Sequence, residues 1–384
     1  MHAFDFPTDP AFWQDPFPFY QRALATGDGL FTLSSGGYSV LGYRAANALG
    51  RDPRAEGHPL PAGGYGPDAA NLTSLLQWGL FAMGAPLHRP LRQAVIAGLS
   101  GRRVAELASA IEPDIARLAA ELREETAPDL LGDFIKPLCG LAFCRLVGAP
   151  PAMAPEIVAI IDTISDHLAA PQDETGADAA AARLLGLLDG LERTGASPLM
   201  RDIAERLPAD APCRPARLVA SLAFDATEML ALGIFGVFDV LLRQPDIAGD
   251  IAAGRYTLGA AVQEAFRLSS PAVLTSRIAA SDIEFDGHRI AAGSPLILWW
   301  ASANLDAGTY PEPLRFDPLR PGPRHLAFGI GAHACLGQHL SAAIAERAAA
   351  SLLLHGGARP VFAGKIEYLP RLARMPRAAP VIFK

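Results

Sequence analysis

A long block of helical sequence, residues 90–242, most constrains the fold of this chain. Alanine and leucine recur through the block at the spacing typical of amphipathic helices. Segments rich in glycine and proline interrupt it at residues 148–151, 171–176, 195–197 and 208–215. The same helical pattern returns at residues 258–268 and 337–353. We therefore expect a mainly α protein.

The two ends of the chain have a different, strand-like pattern. Residues 30–42 contain two runs of alternating apolar residues on either side of Gly36-Gly37, which predicts a β-hairpin. Further strand-like runs lie at residues 273–278, 283–285 and 296–300, and the C-terminal tail is mixed. We predict a single domain over residues 1–384 with two lobes. The smaller, β-rich lobe comes from roughly residues 28–60, 272–300 and 360–384, and the α-rich lobe from the remainder.

Composition limits the classes of function. Half of the 384 residues are hydrophobic and 19% are charged, so we expect a large buried core. The net charge of -7 disfavours nucleic acid as the main partner. A chain this long with four cysteines is not expected to have a disulfide framework, and the N-terminus lacks the regions of a signal peptide. The most apolar run, residues 229–242, is too short to cross a bilayer. We therefore expect a cytoplasmic protein that is not bound to a membrane.

The segment HLAFGIGAHACLGQHL, residues 325–340, surrounds a cysteine with features that suit a metal ligand. A glycine-rich, apolar loop leads to Cys335, and glycine lets the backbone approach a flat ligand closely. The helix expected after the loop offers N–H groups that stabilise an anionic sulfur. No second cysteine or histidine stands at a zinc-type spacing. The residues therefore favour a metal-bound thiolate, although a small buried cysteine at a helix start has the same local pattern.

This segment resembles the haem-binding signature of the cytochrome P-450 family. The match is complete at the positions that the signature fixes, which are Phe328, Gly329, Gly331, His333, Cys335 and Gly337. The rest of the chain follows the family's order from about residue 10 to the C-terminus. The resemblance implies the P-450 fold, with haem b (iron protoporphyrin IX) between a distal and a proximal helix. It also implies that Cys335 is the proximal iron ligand and that Phe328 packs near the ring and the sulfur.

The resemblance also assigns cationic side chains to the haem propionates. His88 and Arg92 stand four residues apart on an expected helix and so share one face, a pattern that is also typical of a solvated basic face. In the family this helix binds a propionate. Arg277 and His333 match two further propionate ligands, and arginine suits a carboxylate because it donates two parallel hydrogen bonds. His325 is a further candidate contact.

A charged motif on the helix expected at residues 258–268 has two interpretations. Glu264 and Arg267 stand three residues apart, which is typical of a surface salt bridge that contributes little. In the family the same pair is buried and is joined by an arginine from a downstream proline-rich loop. Residues 313–316, Pro-Leu-Arg-Phe, match that loop, so the resemblance implies that Arg315 is the third member. The three residues would brace the fold and do no chemistry.

The expected distal helix departs from the family pattern. Residues 217–243 resemble the long apolar helix that crosses the distal face of the haem, and its central motif aligns with residues 225–229, Asp-Ala-Thr-Glu-Met. Glu228 takes the acid position. Met229 stands where most members have a threonine whose hydroxyl helps deliver protons for oxygen activation, and a thioether has no proton to donate. We therefore take Glu228 and Met229 as the candidate catalytic residues. Met229 either alters the oxygen chemistry or only packs against haem or substrate.

These features together predict a haem-thiolate monooxygenase. It would insert one oxygen atom from O2 into a small lipophilic or amphipathic molecule, because the residues expected at the pocket are mostly apolar with two acids. Electrons would come from a ferredoxin or flavodoxin-type donor with its reductase. Two alternatives remain open. One is a haem-thiolate catalyst with atypical oxygen chemistry (peroxide-driven, oxidative coupling or non-oxygenating), and the other is a low-turnover haem-binding sensor or scaffold.

Overall fold

Helices make up most of the computed structural model, which describes residues 2–58, 68–169, 174–355, 357–369 and 373–384. Up to residue 169 the α-helices are α1 (Pro10–Gln14), α2 (Phe17–Leu24), α3 (Tyr43–Arg51), α4 (Ala70–Leu76), α5 (His88–Gly98), α6 (Gly101–Ala110), α7 (Glu112–Glu124), α8 (Lys136–Val147) and α9 (Ala154–Ala169). They continue as α10 (Glu174–Thr194), α11 (Pro198–Ala204), α12 (Pro215–Ser221), α13 (Leu230–Leu241), α14 (Ile247–Ala252), α15 (Leu258–Leu268), α16 (Trp300–Asn304) and α17 (Gln338–Leu353). Two π-helical segments lie at Leu130–Ile135 and Asp225–Met229. Short 3-10 turns lie at Leu80–Ala82, Pro151–Met153 and Gly331–His333.

Among the residues that the structure describes, the strands form one five-stranded sheet and two two-stranded sheets. They are β1 (Leu30–Thr32), β2 (Tyr38–Val40), β3 (Ala55–Gly57), β4 (Thr275–Ala279), β5 (Ile283–Phe285), β6 (His288–Ile290), β7 (Pro295–Leu298), β8 (Pro360–Phe362) and β9 (Val381–Phe383). The larger sheet has the order β1-β2-β7-β4-β3, in which β2 and β7 run parallel and the other neighbours antiparallel. Strands β5 and β6 pair with each other, as do β8 and β9.

The hairpin predicted at residues 30–42 is confirmed. Leu30 pairs with Val40, and Gly36 and Gly37, at the end of the connection between β1 and β2, have φ angles of 93° and 95°, the left-handed region that glycine adopts readily. Gly37 also has no room for a side chain, since an added Cβ would lie 2.5 Å from the carbonyl oxygen of Pro295. The turn therefore depends on glycine for both conformation and space.

The described residues divide into two compact units. The first, here called the strand unit, takes residues from 2–58, 232–335 and 348–384 and contains every strand named above. The second, here called the helical unit, takes residues from 68–231 and 336–347. Both ends of the chain contribute strands to the first unit. The description of residues 1–384 as a single domain stays a prediction.

The strand unit is built on two apolar clusters. One joins the sheet to α3 and α16 through residues such as Leu49, Leu298 and Trp300. The other gathers the N-terminal aromatic residues Phe12 and Tyr20 with other large side chains. Because each of these five side chains is at most 1% exposed, the unit has a dry core that holds α3, α16 and the sheet in place.

The helical unit is centred on α8. Most side chains of α8 are buried, as expected for a helix that is apolar on all sides. Helices α9 and α7 pack against α8, and α10 packs against α9, α12 and α4. The predicted helix breaks are confirmed where Gly148 and Gly195 end α8 and α10 with φ angles of 77° and 66°. The break predicted at residues 171–176 lies partly outside the described residues, and Glu174 already begins α10.

The single helix expected at residues 217–243 is wrong. Helix α12 ends at Ser221, a turn follows at Leu222, and residues 225–229 are π-helical before α13 begins at Leu230. The Thr227 hydroxyl donates a hydrogen bond of 2.6 Å to the Ala223 carbonyl, within the stretch where the regular backbone pattern is lost. An apolar composition indicates a buried helix here but does not reveal this local change of hydrogen bonding.

No single helix of the described residues is long and apolar enough to span a membrane. One bent pair, Pro215–Ser221 with Asp225–Leu241, meets the criteria of length and composition when the two pieces are taken together.

Candidate active site

Cys335 lies in a short loop between the turn Gly331–His333 and helix α17. The backbone N–H of Cys335 donates a hydrogen bond of 2.8 Å to the carbonyl of Phe328, and the N–H of Gly329 donates to the carbonyl of Leu326 at 2.9 Å. These bonds fold the segment back on itself and fix its backbone. The Cys335 side chain is exposed. A sulfur that is to bind an external group needs this accessibility.

Glycine is required at one point of the loop because of a close approach between backbones. Gly331 has a φ angle of 73°, and a Cβ added to it would lie 2.2 Å from the carbonyl oxygen of Gly50 at the end of α3. The sequence predicted that glycine brings the loop close to a flat ligand. The structure shows that Gly331 also brings the loop close to α3 within the strand unit.

The side chains of Phe328 and His325 contact helix α15. The Phe328 ring packs on Phe266 of α15, with 4.9 Å between ring centroids. Nδ1 of His325 accepts a hydrogen bond from the Ala327 N–H at 3.2 Å, and its Nε2 lies 3.1 Å from Oε1 of Gln263. Burial, together with Arg324 and Arg267, lowers the pKa of His325 to about 4. At neutral pH His325 is therefore uncharged, and both of its ring nitrogens are engaged within the protein.

Arg277 is a buried cation on strand β4. Its side chain is 4% exposed, and its Nη1 donates a hydrogen bond of 2.7 Å to the carbonyl of Ser276. No carboxylate of the described residues pairs with it. Burial lowers the pKa of Arg277 to about 10, so it remains protonated at neutral pH. A buried guanidinium that uses one of five donors in this way fits an external carboxylate such as a haem propionate.

The pair Glu264 and Arg267 on α15 is buried, not a surface salt bridge. Two hydrogen bonds of 2.7 and 2.8 Å join the guanidinium of Arg267 to the carboxylate of Glu264, and the two side chains are 3% and 6% exposed. Arg267 also donates to the carbonyl of Asn304 at 2.8 Å. The expectation that these two residues form a buried pair is confirmed, whereas their role in bracing the fold stays a prediction.

The third member of the cluster is Arg320, so the assignment of Arg315 is wrong. Nε of Arg320 lies 3.2 Å from Oε1 of Glu264, and its side chain is 9% exposed. The Arg315 side chain instead pairs with Glu312 and is 63% exposed, while its backbone carbonyl accepts a hydrogen bond of 2.6 Å from Arg320. Both arginines lie in the same proline-rich segment. Sequence spacing alone cannot say which of them turns inward, since that depends on the path of the loop.

The helical unit carries the two propionate candidates of helix α5. His88 is buried and Arg92 is half-buried, four residues apart on the same helix. Both residues interact with other groups of the chain. Their assignment to the propionates, like that of His333, stays a prediction.

The π-helical turn Asp225–Met229 carries the candidate catalytic residues. Glu228 is buried and Met229 is half-buried. Thr227, two residues before Met229, is 3% exposed, and its hydroxyl donates a hydrogen bond to the Ala223 carbonyl. The catalytic roles of Glu228 and Met229 stay predictions.

The predicted site residues fall into two groups. The strand unit contains Phe328, His333 and Cys335 in one loop and Arg277 on strand β4, whereas the helical unit contains His88, Arg92, Glu228 and Met229. Sequence reasoning missed the inward-facing Arg320. Its signal is the acidic partner, because a buried Glu264 that accepts from one arginine retains capacity for a second.

Comparison with known proteins extends the resemblance beyond the Cys335 loop. A family model described as Cytochrome P450 matches residues 250–355. A 20-oxo-5-O-mycaminosyltylactone 23-monooxygenase from Streptomyces fradiae is 30% identical over 313 residues, which cover 77% of this chain and 70% of that protein. A pentalenic acid synthase from Streptomyces avermitilis is 28% identical over 369 residues, covering 90% of this chain and 87% of that protein.

A solved structure has the same fold over the full chain. The structure of the tirandamycin C-bound P450 monooxygenase TamI matches with a TM-score of 0.82 and 26% sequence identity, and the match covers 100% of both chains. The similarity in structure therefore includes the helical unit, for which the family model gives no match outside residues 336–347.

Proposed function

Because this chain belongs to the cytochrome P450 family and is a P450-type oxidoreductase, we propose that it inserts one oxygen atom from O2 into a small lipophilic or amphipathic molecule. The observation that carries the proposal is the exposed Cys335 at the end of a hydrogen-bonded loop that has every fixed residue of the haem-binding signature. Family membership implies haem b as the cofactor.

The residues of the strand unit fit that cofactor. Cys335 would bind the iron through its thiolate, and Phe328, held against Phe266, would shield the sulfur side from water. Arg277 would donate to a propionate carboxylate, which would give this buried cation the partner that no described residue supplies. We also assign His333, His88 and Arg92 to the propionates.

The chemistry divides between the cofactor and the protein. When bound, the haem supplies the iron that binds and activates O2, with electron density from the thiolate favouring O–O cleavage. Glu228 would hold and release protons at its carboxyl oxygens, since the Met229 sulfur carries none. Electrons would come from a separate ferredoxin or flavodoxin-type donor with its reductase, and the substrate would bind through apolar contacts.

Turnover with labelled oxygen tests the proposed function. The purified protein, a surrogate ferredoxin with its reductase, NADPH and labelled O2 are incubated with a panel of lipophilic substrates, and products are analysed by mass spectrometry. We expect products with one labelled oxygen atom, and none when the reductase is omitted. Products that form only with peroxide, or that carry no label from O2, would show that the monooxygenase assignment is wrong.

Replacement of Met229 by threonine is expected to improve the use of electrons. A hydroxyl at this position gives protons a route to the reacting oxygen, and general acid–base effects of this kind are worth roughly 10²–10⁴ in rate. We expect the product formed per NADPH consumed to rise by at least about twofold, with less peroxide released. Product yield and peroxide leakage on the same substrate measure this coupling.

Met229→Leu is the matched control, because it keeps an apolar side chain of similar volume without a hydroxyl. It should retain the coupling of the wild-type protein. Equal coupling in all three proteins, with a change only in the substrate dissociation constant, would leave packing as the role of Met229.

A further inference from the structure

A small cavity of the strand unit is lined by none of the residues assigned above to the haem or to oxygen. Its volume is about 40 Å³. Since about 10–15 Å³ is enough for one water molecule, the cavity has room for a few atoms of that size, enough for a carboxylate group. Its walls are mostly apolar, and the side chains that bring polar groups to them are those of Tyr20, Ser269, Ser270, Tyr368 and Arg374.

Tyr20 brings a hydroxyl group without a partner to this cavity. Its side chain is 0% exposed, and its Oη atom forms no hydrogen bond to any described residue. Burial raises the pKa of Tyr20, so the hydroxyl keeps its proton at neutral pH and can donate it. Because a buried hydroxyl without a hydrogen bond is unfavourable, we expect an external group to accept one from it.

Arg374 gives the same cavity a positive charge that no carboxylate of the described residues neutralises. Its Nε donates a hydrogen bond of 2.8 Å to the carbonyl of Trp13, and its Nη2 donates one of 2.7 Å to the carbonyl of Gln14. Three of its five N–H groups therefore remain. The guanidinium carbon lies 3.7 Å from the centroid of the Tyr368 ring, and its charge partly lowers the pKa of Tyr20, so cation and hydroxyl are close together.

The other polar groups around the cavity do not balance this charge. None of the described residues that line it has a carboxylate. Asp239, which accepts a hydrogen bond of 2.9 Å from Tyr368, is already paired with Arg243, whose Nε donates to it at 3.0 Å. Ser270 accepts a hydrogen bond of 2.8 Å from Asn304, so its own hydroxyl hydrogen is available. The cavity therefore offers donors and a cation but no anion.

We propose that this cavity binds the carboxylate group of an organic acid. One carboxylate oxygen would accept a hydrogen bond from the Tyr20 hydroxyl and the other from the Arg374 guanidinium, while the carbon side of the acid contacts the apolar walls. A water molecule fills the volume but does not balance the charge of Arg374. The inference adds a binding site to the protein and does not depend on the oxygen chemistry proposed above.

Thermal unfolding of the haem-loaded protein in the presence of acetate tests this proposal. Acetamide has the same shape as acetate without its charge, and sodium chloride at the same concentration supplies the same ionic strength. We expect acetate to raise the midpoint of unfolding by at least about 2 °C over both controls, because a ligand that binds only the folded state stabilises it.

Two tyrosine variants locate the origin of the effect. Tyr20→Phe should lose most of the increase caused by acetate, whereas its midpoint without acetate should not fall, since the hydroxyl has no partner within the described protein. Tyr38→Phe is the matched control, because its hydroxyl donates a hydrogen bond of 3.2 Å to the carbonyl of Arg289, outside the cavity. It should keep the full effect of acetate. A wild-type protein that acetate does not stabilise, an equal effect of acetamide, or an acetate effect that survives in Tyr20→Phe would overturn the proposal.

Hexanoate distinguishes the two sources of a carboxylate, a free small acid and the acid end of a longer molecule. An increase that depends on Tyr20 and is seen with acetate alone supports a free small acid. A larger increase with hexanoate, again lost in Tyr20→Phe, supports the acid end of a longer molecule. An increase with hexanoate that is equal in the wild-type protein and Tyr20→Phe, without an effect of acetate, would show that the acid binds elsewhere and would contradict the proposal.

Discussion

Arg320→Ala is expected to destabilise the protein by about 1.5–3 kcal/mol, because it removes one of the two guanidinium groups that donate hydrogen bonds to the buried Glu264 carboxylate. Arg267 remains as the other partner. Glu264 is 6% exposed and accepts hydrogen bonds from both Arg267 and Arg320. Loss of Arg320 also leaves the carbonyl of Arg315 without the 2.6 Å hydrogen bond that fixes the proline-rich loop. The free energy of unfolding, measured by urea denaturation of the haem-loaded protein, reports the effect.

Arg315→Ala is the matched control, five residues away in the same loop. Its side chain is exposed and pairs with the exposed Glu312, so we expect a change within about 0.5 kcal/mol. The backbone carbonyl of residue 315 is unchanged in this variant. A destabilisation by Arg315→Ala as large as that by Arg320→Ala would contradict the arrangement described for this cluster.

The contrast between Arg315 and Arg320 shows where sequence reasoning reaches its limit. Glu264 and Arg267 were predictable because they lie three residues apart on a helix whose observed bounds, Leu258–Leu268, match the expected ones. The third member comes from an irregular loop. There, the direction of each side chain depends on tertiary hydrogen bonds, and a match to the pattern Pro-Leu-Arg-Phe selected the wrong arginine.

For strands and helices too, the prediction succeeded where the backbone is regular and failed where it is not. The P450 fold, mainly α with a smaller β-rich part, is confirmed, and so is the hairpin with Gly36 and Gly37 at its turn. The helix expected at residues 217–243 failed at residues 222–229, since hydrophobic periodicity reports burial but not a local π-helical hydrogen-bond pattern. The π-helical backbone of residues 225–229 could therefore not be predicted from the sequence.

Cys335→Ala is expected to have the largest functional effect, a complete loss of thiolate ligation and of oxygen-dependent turnover. The other cysteines are poor substitutes because a thiol must ionise to bind the iron. Burial raises the pKa of Cys144 to about 11, and burial also raises the pKa values of Cys139 and Cys213. Cys213→Ala serves as the control, since it removes a thiol outside the signature and should keep wild-type turnover.

The absorption spectrum of the ferrous–CO complex tests the central claim most directly. The wild-type protein and Cys213→Ala should bind one haem per chain and show the red-shifted band of a thiolate-ligated iron, and Cys335→Ala should lack that band even when haem is still bound. A wild-type protein without the band, or a Cys335→Ala variant that keeps it, would contradict the assignment of Cys335 as the iron ligand.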